Sequence, residues 1–177
     1  MSKQLAVAAI VVVVLAMNAA DAQTPKPTPE HGKIQAFLGT WQYDIDTKAS
    51  PFGPAGKMTG TDRIEPGPGG FSVVYHPELT GPAGTISGLA ILTYDAAMKR
   101  YVIYSVDSSG AIAAATGTVN GTTWSFDIDA SAGGKKVKGR NKTTFTSPTA
   151  YTWTFEIADD KGVYSLVEEG RAMKRSQ

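Results

Sequence analysis

The feature that most constrains this chain is a period of two. Trp41, Tyr43 and Ile45 alternate with Gln42, Asp44 and Asp46, and the alternation returns at Phe71-Val73-Tyr75, Trp124-Phe126-Ile128 and Tyr151-Trp153-Phe155-Ile157. Successive side chains of a strand point to opposite faces, so each segment has one apolar face and one wet face. Turn clusters separate them: Pro51-Phe52-Gly53-Pro54, Pro66-Gly67-Pro68-Gly69-Gly70, Gly81-Pro82-Ala83-Gly84, Asp107-Ser108-Ser109-Gly110, Asn120-Gly121 and Gly133-Gly134. Asn120-Gly121 has the chemistry of a type I′ hairpin, whose two central residues both need φ > 0. The pattern predicts about ten strands, over 39–47, 57–65, 70–77, 84–94, 99–107, 111–119, 122–129, 135–146, 149–158 and 162–174. The connections are too short for crossover helices, so sequence neighbours pair antiparallel. So many one-sided strands must close or fold over to protect their edges. An all-β, antiparallel up-and-down barrel is the simplest solution.

Ahead of the strands the pattern differs. Lys3 precedes an unbroken apolar run from Leu5 to Met17, and Asn18-Ala19-Ala20-Asp21-Ala22 ends in the small-x-small motif of a signal-peptidase site. That run is too short to span ~30 Å of hydrocarbon as a helix. Residues 1–22 therefore read as a signal peptide, and the protein as exported, periplasmic or secreted, with no membrane span once the leader is removed. Residues 23–30, Q-T-P-K-P-T-P-E, read as an extended, Pro-rich disordered leader. Residues 31–177 form a single domain. It opens with a short helix over His31–Leu38, where Ile34, Phe37 and Leu38 have i, i+3, i+4 spacing and Gly39 supplies the residue that tolerates φ > 0 at the helix end.

Composition removes whole classes of chemistry. With 0 cysteines there is no disulfide, thiol catalysis, zinc finger or cysteine-bound lipid. A net charge of +1 offers no steering field for nucleic acid or anionic membranes. No Walker, G-x-G-x-x-G or nucleophile-elbow sequence occurs.

The remaining candidates are few. His76, in Tyr75-His76-Pro77-Glu78, could pair with Glu78 as an acid–base couple, yet its parity opposes Tyr75 and directs it to solvent. His31 reads as a packed or surface residue, since 2 histidines make no metal site. Asp44/Asp46, Asp127/Asp129 and the stripe Lys136, Lys138, Arg140 and Lys142 read as solvated strand faces. The aromatic set is richer: Tyr43, Phe71, Tyr75, Trp124, Phe126, Trp153 and Phe155 share the inward parity of their strands, with Trp41 and Tyr151. Such rings either fill a small barrel or line a cup, and the small residues Ala111–Ala115 leave room facing them.

At Gly39-Thr40-Trp41, a helix followed by Gly-x-Trp at the first strand resembles the calycin superfamily of lipocalins and fatty-acid-binding proteins. The resemblance implies a tryptophan plugging the closed end of the barrel with a late-strand arginine across its ring. Here that means Gly39, Trp41 and Arg171, with Lys174 and Arg175 as alternatives. The full layout resembles a family of exported bacterial proteins catalogued only as a domain of unknown function. It carries H-x-x-(I/L)-x-x-(F/L)-L-G-x-W, Thr93-Tyr94-Asp95 to Tyr101, and Asp107 to Gly110, over residues 30 to 175. Nitrobindin-like haem barrels also begin Gly-x-Trp. They continue Gly-x-Gly where this chain has Tyr43-Asp44-Ile45, and they draw a late histidine that this chain lacks after His76. No cofactor is therefore expected. The expectation is an exported, non-enzymatic barrel of unknown specific role: core filling is the favoured reading of its rings, and a cup for a small hydrophobic or amphipathic ligand is the functional hypothesis put first. The alternatives are an enzyme using His76 and Glu78 at the barrel mouth, or a structural envelope-associated domain.

Overall fold

The computed structural model describes residues 25–176. The signal peptide expected over 1–22 lies outside those residues. The chain is a closed barrel in which each strand pairs antiparallel with its sequence neighbours: β1 (Gly39–Thr47), β2 (Gly56–Pro66), β3 (Ser72–Gly81), β4 (Gly84–Asp95), β5 (Arg100–Asp107), β6 (Ile112–Asn120), β7 (Thr123–Ala132), β8 (Lys135–Ser147), β9 (Ala150–Ala158) and β10 (Tyr164–Lys174). The first and last strands close the ring, from Trp41 opposite Lys174 to Thr47 opposite Glu168. The up-and-down order follows from short connections, and closure removes both edges.

Some local geometry differs from expectation. The hairpin at Asn120-Gly121 turns on Gly121 and Thr122, since Asn120 still pairs with Thr123; only Gly121, at φ 58°, is left-handed. One positive φ at the first central position is the type II′ pattern. The turn with two, as type I′ requires, is Gly133-Gly134, at φ 55° and 75°. The helix also begins earlier than its apolar spacing indicated. α1 (Pro29–Lys33) runs into a 3₁₀ turn over Ile34–Phe37, so the packed domain reaches back into the segment read as a disordered leader. Pro29 suits a first helical turn, which needs no N–H there. The Thr28 N–H donates to His31 Nδ1 at 3.1 Å, and the Thr28 hydroxyl lies 2.8 Å from the same nitrogen.

This helical segment is the plug of the barrel. Ile34 is wholly buried and Phe37 nearly so. The Phe37 ring meets Trp124 at 5.1 Å and Phe145 at 4.9 Å between centroids, and its carbonyl accepts the Trp41 indole N–H at 2.7 Å. His31 is buried edge-on against Phe71 and Tyr94. The Tyr101 hydroxyl donates to the Glu30 carboxylate, fastening α1 to β5.

Trp41 fills the floor as the resemblance implied, at 0% exposure, but its cation is Lys174 and not Arg171. The Lys174 ammonium stands 5.5 Å from the Trp41 ring centroid. Register gives the reason. Lys174 is opposite Trp41 and Ala172 opposite Tyr43, so Arg171 falls on the alternate, outer face, where its Nε donates to Asp44 at 3.1 Å. Gly39, at φ 119°, makes the helix-to-strand turn, and any Cβ there would run into the Lys174 side chain. The glycine thus serves both the backbone and the close approach of the lysine.

Candidate functional site

Above this floor the interior does not fill. A cup of about 390 Å³ is lined by the rings of Tyr43, Tyr75, Phe126, Trp153 and Phe155 and by the small side chains Ala90, Ala113, Ala115 and Ala130. Small side chains on β4, β6 and β7 stand among the rings, so the inward face does not close on itself. Glycines set the rings in place: Gly117 lies opposite Phe126 and Gly170 opposite Trp153, where a Cβ would overlap the ring. Each ring lies over its neighbouring strand, leaving the centre open. Five of the seven sequence-predicted lining residues are therefore brought together. Phe71 and Trp124 are not among them. Phe71 packs on His31, and Trp124 lies between Phe37 and Tyr101 in the floor, because both are at the plugged end of their strands.

The cup contains polar groups that the aromatic pattern did not reveal. Asp62 is 3% exposed, and its carboxylate accepts the Tyr43 hydroxyl at 3.1 Å and the His76 backbone N–H at 2.8 Å. The Tyr43 and Tyr151 hydroxyls are 2.7 Å apart, so the chain of hydrogen bonds reaches the cup wall. His76 and Pro77 interrupt the pairing of β3 with β4, which resumes at Glu78, and the Asp62 side chain takes up the His76 N–H at that gap. Burial pushes the Asp62 carboxyl up to about 6, against the lowering effect of its hydrogen bonds. Burial also raises Tyr43 and Tyr75 well above the usual phenol range. Asp62 was visible in principle, since it shares the parity of Met58 and Ile64 on β2.

Glu168 is the second. Its Oε1 accepts the Trp153 indole N–H at 2.6 Å, and its side chain borders both the cup and the mouth groove formed with Phe52 and Lys48. Burial raises its carboxyl, and the indole bond partly offsets the rise. A bulge between Leu166 and Glu168 brings the consecutive residues Val167 and Glu168 both to the mouth. No alternation pattern foretells that.

The other candidates fall outside the cup. The His76 Nε2 is 3.6 Å from Glu65 on the outer surface, and Glu78 is exposed on the same face. The pair is not assembled at the cup, because even-numbered residues of β3 point outward. Asp44 pairs with Arg171, Asp46 with Lys57, Asp127 with Arg140 and Asp129 with Lys138, all as exposed cross-strand ion pairs. Among the described residues no cluster of three or more His, Asp and Glu could hold a metal ion, and no helix is long and apolar enough to cross a membrane.

Residues 26–172 match the model of the family described as protein of unknown function (DUF1579), and the chain belongs to that family. No curated protein matches the chain. Among solved structures, the crystal structure of Rv2717c from M. tuberculosis superposes with a TM-score of 0.66 at 10% identity, covering 85% of this chain and 100% of that one. A de novo designed fluorescence-activating β-barrel matches with a TM-score of 0.45 at 15% identity, over 80% of this chain and 96% of that one.

Proposed function

We propose that this family member is a binding barrel that holds one small hydrophobic or amphipathic molecule in the cup. The observation that carries the reading is the 390 Å³ hollow lined by aromatic rings and alanines. Ligand pockets fall in the range ~300–1,000 Å³, predominantly apolar with a few placed polar groups. The Tyr43 and Tyr151 hydroxyls and the Glu168 carboxyl supply those groups. The floor is plugged, and at the other end the cup adjoins a groove through Phe52 and Glu168. The proposal includes export through the leader read over 1–22, which a mature N-terminus at Gln23 would support.

Native mass spectrometry of protein purified from its own cells tests the reading. A discrete adduct lost on organic extraction, and restored by a panel of apolar compounds, is the expected result. A bare mass that no compound in the panel shifts would overturn it.

A further inference from the structure

The charges around the cup are of one sign. Among its lining residues there is no lysine, arginine or histidine, and the only ionisable carboxyl is Glu168. The second acid, Asp62, stands directly behind the Tyr43 hydroxyl. One oxygen of Glu168 is held by the Trp153 indole; among the described residues the other takes no hydrogen bond. Trp153, whose indole edge meets Glu168, and Phe155 line the same cup.

We propose that the cup selects an apolar molecule carrying a protonated amine, with the ammonium between Glu168 Oε2 and the Trp153 and Phe155 rings. This deepens the binding reading and rests on it. Three physical terms point the same way. A buried carboxylate gains most from a partner of opposite charge, because each is costly to desolvate alone. Burial already raises the Glu168 carboxyl, and an ammonium beside it would relieve that cost. Aromatic faces attract cations most strongly where water is excluded. The same features disfavour a fatty acid or other carboxylate, whose anion would meet Glu168 and Asp62 with no basic residue in the lining. Lys48 lies in the adjoining mouth groove, where Asp107 also stands.

The test compares three probes with one ring system and different head groups: tryptamine, tryptophol and indoleacetate, titrated calorimetrically near neutral pH. An apolar dye titration runs alongside to report the cup itself. Tryptamine is expected to bind roughly tenfold to a hundredfold more tightly than tryptophol, as a charge-assisted bond allows, with indoleacetate weakest. Glu168→Gln keeps an oxygen for the Trp153 bond, so it should bring tryptamine down to the affinity of tryptophol while tryptophol changes little. Equal affinities for amine and alcohol in the native protein, or a preference that survives Glu168→Gln, would overturn the amine assignment while dye binding left the cup reading intact. Failure of dye and all probes to bind would overturn both.

Discussion

At the closed end, Ile34, Phe37, Trp41 and Trp124 are at most 5% exposed and fill the barrel from wall to wall. At the open end, Ala90, Ala113, Ala115 and Ala130 line a hollow together with Phe126, Trp153 and Phe155. The same strands build both ends. The difference is that a second element, the segment from Thr28 to Phe37, is inserted at one end and, among the described residues, no helix at the other. The polar atoms differ in the same sense. The Trp41 indole and the His31 ring are satisfied by backbone and neighbouring side chains of the plug, whereas a Glu168 oxygen at the mouth is left to the solvent or a ligand. One end is packed and holds the fold; the other is open, and on the proposed reading it is the end that takes a ligand.

The sharpest way to break this comparison is at the floor. Trp41→Ala should cost ~3–5 kcal/mol, since it removes a fully buried indole and leaves a void the plug cannot fill. Urea midpoints measure it; a loss below about 1 kcal/mol would mean the floor is not the packed end.

Asp62 comes next, and its effect depends on pH. Its carboxyl is raised to about 6 from an ordinary 3.8, so the folded protein holds that proton more tightly than the unfolded chain. The corresponding stability is fully present below the unfolded value and is lost as pH rises through about 6. Asp62→Asn cannot titrate, and its amide can still serve the His76 N–H and the tyrosines. Relative to the native protein, Asp62→Asn should therefore gain ~2–3 kcal/mol between acid and neutral pH. Urea midpoints taken in steps across that interval check the sign, and parallel curves for the two proteins would contradict it.

A smaller effect separates the two candidate cations. Lys174→Ala should cost ~0.5–2 kcal/mol, and its effect should shrink in a Trp41→Phe background because the two side chains share one contact. Arg171→Ala removes an exposed ion pair with Asp44 and should change stability by less than about 0.5 kcal/mol, additively with any change at Trp41. A double-mutant cycle that couples Trp41 to Arg171 instead of Lys174 would reverse the assignment.

How much of this was legible follows from what a strand pattern encodes. Alternation at Trp41-Tyr43-Ile45 and its later counterparts fixes which side chains enter the barrel, and short turns fix neighbour pairing, so the fold could be read directly. The helix motif was legible as well, and the structure shows what its residues do: His31 meets Thr28 and Phe71, Ile34 and Phe37 plug the barrel, and Gly39 gives way to Lys174. Depth along the barrel was not legible. Phe71 and Trp124 have inward parity just as Phe126 does, and parity alone says nothing about which end a ring occupies. Register across the closing pair of strands was hidden too, and it decides between Arg171 and Lys174. Glu168 required a bulge, and Asp62 stands out only once an acid at inward parity is taken as a signal.

The most direct test of a barrel plugged at one end and hollow at the other is an equilibrium titration with an apolar environment-sensitive dye, on the native protein and on Ala113→Phe. Ala113 lines the hollow, so a phenyl group there should occupy the cup without disturbing the floor. The account predicts saturable, one-to-one binding to the native barrel and none to Ala113→Phe, with urea midpoints that agree within about 1 kcal/mol. Equal dye binding by both proteins, or none by either, would contradict it.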